Sequence, residues 1–314
     1  MSKAFVFPGQ GAQAVGMGKA LADAYPAART VFDEVDEALG EKLSALIWEG
    51  DQETLTLTQN AQPALMATSL AAVRALEAEG VGIEVASLVA GHSLGEYSAL
   101  AAAGALSVSD CARLLRTRGQ AMQAAVPVGE GAMAAILGLD FATVSEVAEA
   151  AAASGGVVQA ANDNDPAQVV VSGHAAAVEK AVELAKEKGA KRAMLLPVSA
   201  PFHSALMAPA ADAMAAALSE VTIKAPRVPV VANVTASAVE DPAQIRELLV
   251  KQVTGSVRWR ESVEYMGAHG ITQVWEIGAG KALIGMVRRI NRDIDTRAVG
   301  TPEDVRAAAE SMAG

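Results

Sequence analysis

An α/β fold is predicted by three features of this 314-residue chain. Short apolar runs of strand length alternate with longer stretches of helical periodicity, the order that builds a mainly parallel sheet covered by helices. One strand-to-helix junction, residues 89–97, reads Val-Ala-Gly-His-Ser-Leu-Gly-Glu-Tyr and sets Ser93 between Gly91 and Gly95. Between residues 128 and 197 the order changes to β-α-β-β-α-β, the ferredoxin-like split unit. The expectation is a large α/β-hydrolase-like domain with a mainly parallel sheet, residues 1–127 and 198–314. Into it is inserted a small ferredoxin-like domain, residues 128–197.

The elements follow in order. Residues 4–7 (Ala-Phe-Val-Phe) form a short buried strand that Pro8 ends, and a glycine-rich loop leads into helical patterns through about Leu39. Gln62 and Pro63 precede an amphipathic helix that runs to about Glu79 and stops at Gly80. Residues 87–90 are a strand, residues 94–103 an Ala-rich helix with Glu96 in its first turn, and residues 110–123 a further helix. The insertion gives strand 133–137, helix 141–153, strands 157–161 and 168–172, helix 175–188 and strand 192–196. Pro127-Val-Gly-Glu-Gly131 and Pro197-Val-Ser-Ala-Pro201 bracket it. Helix 204–218, an apolar β-branched run at 228–232, strand 273–277, helix 282–291 and a closing strand and helix complete the chain.

Composition narrows the function. With 52% hydrophobic and 19% charged residues the chain can bury a large core. A net charge of -11 argues against a surface that grips nucleic acid, although Lys186, Lys188, Lys191 and Arg192, and Arg288, Arg289 and Arg292, form local basic clusters. No apolar run has membrane-spanning length and the N-terminal one is too short for a signal peptide, so a cytoplasmic protein without membrane contact is expected. The single Cys111 excludes an internal disulfide and reads as a buried apolar residue. His92, His174, His203 and His269 show no ligand spacing, and no metal is expected. Nothing resembles a coiled coil, which leaves a monomer as the simplest state.

The Gly-x-Ser-x-Gly junction has the layout of a nucleophile elbow, a tight turn that lifts one hydroxyl clear of strand and helix while the first helical amides point at incoming negative charge. The pattern alone also arises by chance, as a glycine-rich turn with an incidental serine; strand before and helix after are what single it out. Such a serine needs a base. His92 adjoins Ser93 and is expected to point away from it, His174 opens a helix in the small lobe, and His269 sits near a helix end. His203, in a Pro-bearing loop that re-enters the large domain, remains. No Asp or Glu holds an evident third position, and a backbone carbonyl can orient the imidazole instead. The Leu94 amide, with a second from the Gly9-Gln10-Gly11 loop, can receive an oxyanion.

Phe7-Pro-Gly-Gln-Gly-Ala-Gln13, Ala61-Gln-Pro-Ala64, Gly91-His-Ser-Leu-Gly-Glu96, Arg118-Gly-Gln-Ala-Met122, Pro201-Phe-His-Ser204 and Gln252-Val-Thr-Gly-Ser-Val257 together resemble, nearly end to end, the successive motifs of malonyl-CoA:acyl carrier protein transacylases. The resemblance implies that Ser93 is the malonylated nucleophile, His203 the general base and acid, and Arg118 the partner of the free malonyl carboxylate. It further implies that the Gln10 and Leu94 backbones form the oxyanion hole and that the Gln252 carbonyl holds His203. Gln62 would line the site, and Phe202 would exclude an α-methyl group; their plain alternatives are helix N-terminal polarity and core filling. Asn162 and Asn164 resemble a loop facing the cleft, although turn chemistry also accounts for them, and Asp163 departs from that pattern. Also implied are malonyl-CoA as substrate, the phosphopantetheine thiol of an acyl carrier protein as acceptor, and no permanently bound cofactor. For Arg118, position alone would suggest a solvated helix-end cation.

Rival readings remain at this point. A polyketide malonyltransferase acting in trans shares all of this chemistry, a serine esterase or thioesterase would use the same elbow, and an inactive carrier-binding scaffold would lack the acyl-enzyme. Gly9-x-Gly11-x-x-Ala14 satisfies a loose dinucleotide fingerprint, but Asp33 and Glu34 lie in a helical stretch instead of at a second strand's end. Gly278-Ala-Gly-Lys281 lacks the remainder of a phosphate loop and reads as a strand-to-helix turn.

Overall fold

The computed structural model describes residues 2–313. Among the described residues ten strands form two sheets: β1 (Ser2–Phe7), β2 (Ala86–Gly91), β3 (Gly131–Leu137), β4 (Val158–Asp165), β5 (Gln168–His174), β6 (Arg192–Leu195), β7 (Val230–Ala232), β8 (Ser237–Val239), β9 (Ile271–Ile277) and β10 (Asp295–Val299). The six-stranded sheet runs β10-β9-β1-β2-β7-β8. It is parallel except for β8, which pairs antiparallel with β7 at one edge. The four-stranded sheet runs β4-β5-β3-β6 and is antiparallel throughout.

Alternation along β1 and β2 divides the large core in two. Phe5, Phe7 and Val89 pack on one face of the sheet with Leu65 and Leu100, while Ala4, Val6, Leu88 and Ala90 pack on the other with Trp259, Leu283 and Val287. A strand buried on both faces has no polar side to show, which is why these strands read as unbroken apolar runs. The small sheet does the same with a different division. Ala134, Ile136, Val169 and Val171 pack against the helices Phe141–Ala152 and Ala175–Glu187, whereas Met133, Ala135 and Val170 join the large core.

Three local readings change. The helix expected to follow Gln62 and Pro63 is Thr58–Ala78, with Pro63 in its second turn. Proline there forgoes one backbone hydrogen bond, and burial of nearly every residue from Ala61 to Val73 compensates. Strand 157–161 extends to Asp165, so Asn162 and Asn164 lie in β4 and not in a turn. The polar Asn-Asp-Asn-Asp run stays extended because it pairs with β5 and because Asp163 and Asp165, both buried, meet Arg260 at 2.9 Å and Arg289 at 2.6 Å. Both arginines come from helices of the large sheet's layer, Trp259–Ala268 and Ala282–Ile290. Helix 204–218 begins later, at Ala208, after a 3-10 turn at Ala205–Met207.

β4 is therefore the seam between the sheets. The Asp163 amide donates to the Val257 carbonyl and the Val257 amide to the Ala161 carbonyl, each at 2.9 Å, and Arg289 is committed to Asp165. Among the described residues no helix is long and apolar enough to cross a membrane, and no group of three or more His, Cys, Asp or Glu is placed to hold a metal. Cys111 is buried, and burial pushes its thiol well above the ordinary range.

Candidate active site

The site lies at the carboxyl ends of β1 and β2, where ligands of parallel α/β sheets collect. A cleft of about 600 Å³ opens there, between the loop after β1, the turn after β2 and the inner face of the small sheet. Ser93, His203, Arg118, Gln62, Gln10, Leu94 and Phe202 all line it.

Packing forces the turn at Ser93. The serine adopts φ 52°, a left-handed conformation uncommon outside glycine. Gly91 and Gly95 allow it by letting backbones touch: a Cβ on Gly91 would lie 1.9 Å from the Gly95 carbonyl carbon, and one on Gly95 would lie 2.2 Å from the Phe7 oxygen. These contacts make the turn a tightly packed one and not a permissive loop. Asn233 holds the turn at both ends, its Oδ1 accepting from the Ser93 amide at 2.8 Å and its Nδ2 donating to the Gly91 carbonyl at 2.7 Å. The Leu94 amide is the next one along the chain.

Ser93 Oγ is 2.7 Å from His203 Nε2. His203 Nδ1 donates to the Gln252 carbonyl at 2.9 Å and lies 3.1 Å from the Gly255 carbonyl. Two backbone acceptors on Nδ1 require the Nδ1–H tautomer, leaving the Nε2 lone pair for the serine proton. Burial, and next the Arg118 charge, push the imidazole down to about 3, so it is neutral and able to accept a proton at ordinary pH. His203 also has a positive φ, 56°.

Arg118 is not a solvated helix end. It lies within the helix Val108–Ala124 and is 1% exposed. Nη1 donates to Gln62 Oε1 at 2.7 Å; Nη2 donates to Gln252 Oε1 at 2.8 Å and to Ser93 Oγ at 3.1 Å. Its neighbours are neutral amides, a hydroxyl and the ring of Tyr97, 5.7 Å away. Among the described residues no carboxylate forms an ion pair with it. A buried guanidinium without a direct ion-pair partner is costly, and one beside the Ser93 hydroxyl is suited to an anionic ligand.

The remaining residues resolve individually. Gln62 is buried and also donates to Thr58 Oγ1 at 2.9 Å, so it fixes Arg118 instead of serving helix-end polarity. Phe202, 8% exposed, both fills the core and faces the cleft. The Gln10 side chain accepts from Thr58 at 2.9 Å. His92, expected to point away, lines the same cleft and donates from Nε2 to Asn164 Oδ1 at 2.8 Å, because β4 extends far enough to meet it. His174 and His269 stay local, accepting from the Val157 amide and contacting the Tyr265 carbonyl.

Sequence reasoning missed Asn233 and the buried role of Glu96. Glu96 is 3% exposed; burial pushes its carboxyl up to about 7, against hydrogen bonds from Gln252 and Asn233 and the Arg118 charge. Both roles depend on tertiary contacts. The helices Pro242–Thr254, which carries Gln252, and Trp259–Ala268 were also unassigned, although Asp241 followed by Pro242 is an N-cap signal.

A depressed histidine makes a checkable statement. The ¹⁵N signature of His203 should remain that of the neutral Nδ1–H tautomer from pH 8 down to 5; an imidazolium signature near 6 would contradict the site's electrostatics. Because the folded value lies below the ordinary 6.5, the unfolded chain binds this proton first, and the histidine's contribution to stability is lost as pH falls from 6.5 towards about 3.

Residues 4–299 match the acyl transferase domain family. The malonyl CoA-acyl carrier protein transacylase of Bacillus subtilis (strain 168) is 51% identical over 313 residues, covering 99% of this chain and 98% of the relative. The crystal structure of an acyl-carrier-protein-S-malonyltransferase from Bartonella henselae superposes with TM-score 0.97 at 58% identity and covers 100% of both chains. A type II PKS acyl-carrier protein in complex with its malonyl-transacylase supplies a third likeness, at TM-score 0.96 and 42% identity, covering 99% of this chain and 100% of that one. With the nucleophile turn, its histidine and its buried arginine in one cleft, the chain belongs to the acyl transferase domain family.

Proposed function

We propose that the protein transfers malonyl from malonyl-CoA to the phosphopantetheine thiol of an acyl carrier protein, supplying extender units for fatty acid synthesis. The observation that carries this reading is the buried Arg118 guanidinium, 3.1 Å from Ser93 Oγ and with no carboxylate in ion-pair contact among the described residues. A malonyl thioester brings the missing anion two carbons from the carbonyl that Ser93 attacks. A planar fork can bond both carboxylate oxygens, which an acetyl methyl cannot answer.

In this mechanism Ser93 Oγ attacks the thioester carbonyl as His203 Nε2 takes its proton, and the Leu94 and Gln10 amides receive the oxyanion. The tetrahedral intermediate collapses, His203 returns the proton to the departing sulfur, and coenzyme A leaves a malonyl-serine ester. The carrier thiol then attacks that ester, His203 takes the thiol proton, and Ser93 recovers it as malonyl departs. Transfer is ping-pong. The Gln252 carbonyl keeps the imidazole in the required tautomer throughout, in place of an acidic third member. Phe202, directly before the base, limits room at the malonyl α-carbon.

We read the large lobe, residues 1–127 and 198–314, as α/β-hydrolase-like and the small lobe, residues 128–197, as a ferredoxin-like insertion. The strand order β4-β5-β3-β6 supports the second reading. The enzyme works in the cytoplasm as a monomer with no permanently bound cofactor. An acidic carrier needs local positive charge on a chain of net charge -11, which Lys186, Lys188, Lys191 and Arg192 on one lobe and Arg288 and Arg292 on the other can supply.

Two outcomes are expected in a transfer assay with holo carrier protein. Arg118→Met should lower kcat/KM for malonyl-CoA by ~10³-fold, the loss of two charge-assisted hydrogen bonds, and change that for acetyl-CoA by less than ~10-fold; equal losses on both substrates would remove Arg118 as the selecting group. Neutralising the basic clusters should raise the carrier's KM and flatten its salt dependence while sparing malonyl-CoA, and unchanged carrier kinetics would exclude them as the docking face.

A further inference from the structure

Glu96 is a buried carboxylate, and the transfer steps above give it no part. It follows the nucleophile by three positions, in the first turn of the helix Gly95–Ala102, yet it is 3% exposed and makes no ion pair among the described residues. Its Oε2 accepts from Gln252 Nε2 at 2.9 Å and from the Asn233 amide at 3.0 Å. We propose that Glu96 is a positioning residue that sets the preference for a carboxylate-bearing acyl group by fixing the Gln252 side-chain amide against Arg118; this deepens the malonyl-transfer reading and rests on it.

The argument is one of donors and acceptors. The Gln252 amide has a donating end and an accepting end. At one end stand two accepting oxygens, Glu96 Oε2, which also takes the Asn233 N–H, and the Ser93 carbonyl, each 2.9 Å from Nε2. At the other stands Arg118 Nη2, which can only donate, 2.8 Å from Oε1. One amide orientation satisfies all three contacts. The reverse would set oxygen against two oxygens and an NH₂ against a guanidinium.

That orientation matters because Arg118 Nη2 is shared between Gln252 Oε1 and Ser93 Oγ, so the place of Oε1 sets where the fork stands relative to the nucleophile. Gln62 fixes Nη1 from the other side. Glu96 thus acts on Arg118 through one intervening amide and on the Ser93 turn through Asn233. The first route affects only substrates that use the arginine; the second affects every acyl group. Loss of the carboxylate leaves the donating end of the Gln252 amide held by the Ser93 carbonyl alone, which loosens Oε1 against Arg118, and malonyl should suffer more than acetyl.

The test is the ratio of kcat/KM for malonyl-CoA to that for acetyl-CoA in wild type, Glu96→Leu and Glu96→Gln. A ratio measured on one preparation is independent of the fraction folded. Glu96→Leu should lower the ratio by ~10- to 100-fold, the loss of a well-placed contact to the discriminating group. Glu96→Gln, whose amide oxygen can take the place of Oε2, should keep the ratio within about threefold of wild type. In a double-mutant cycle, Glu96→Leu should lower the ratio no further once Gln252→Ala is present. Rates that fall together with an unchanged ratio in Glu96→Leu would reduce Glu96 to a structural role and overturn the proposal, as would a Glu96→Gln variant that loses the preference as fully as leucine does. A wild type that shows no malonyl transfer at all would overturn the functional reading, and this inference with it; malonyl transfer with an unmoved ratio would overturn the inference alone.

Discussion

Arg118 holds a positive charge in a buried place, and among the described residues no carboxylate forms an ion pair with it; Glu96 acts on it at longer range, through the Gln252 amide. Such a charge persists only where hydrogen bonds replace hydration, and here two glutamine oxygens and the Ser93 hydroxyl supply them. Each of those groups has to be held in turn. Gln62 requires a helix that continues through Pro63, and Gln252 requires the helix Pro242–Thr254 to end beside the nucleophile turn. The cost of burying the guanidinium is offset across several elements, and the anion it lacks is what the substrate can bring.

The same charge sets the protonation of its neighbours. It lies close enough to help depress His203 and to work against the burial that raises Glu96, so Arg118, His203 and Glu96 form one electrostatic unit beside Ser93. A bound carboxylate would cancel part of the Arg118 charge and so relieve one of the three influences, burial, Arg118 and His92, that hold His203 low. In the proposed mechanism, malonyl binding would then strengthen the base when it is needed. The two sheets support this unit from outside: β4, tied to the helices of the large sheet's layer through Asp163–Arg260 and Asp165–Arg289, brings Asn164 onto His92 at the rim.

What the sequence discloses about the site depends on how local each constraint is. Ser93 is legible because Gly91 and Gly95, the glycines that permit its turn, are its near neighbours and because strand and helix flank them. His203 follows by elimination among four histidines. Arg118 and Gln252 were reached only through a resemblance, since an arginine in a helix and a glutamine in an unassigned stretch carry no local signal of burial. Asn233 and Glu96 were missed for the same reason: one sits 140 residues from the amide it holds, and the other looks like an ordinary first-turn acid. Element boundaries failed where tertiary contacts overrule propensity, as at Pro63 inside a buried helix and at the Asn162–Asp165 run, which reads as a turn until Arg260 and Arg289 neutralise its aspartates.

Intact-protein mass spectrometry after brief exposure to malonyl-CoA, followed by addition of holo carrier protein, addresses the central claim most directly. The account predicts a malonyl adduct that is absent in Ser93→Ala and that moves to the carrier thiol faster than it is lost to water. No adduct on folded wild type, or an adduct lost equally fast with and without carrier, would contradict it.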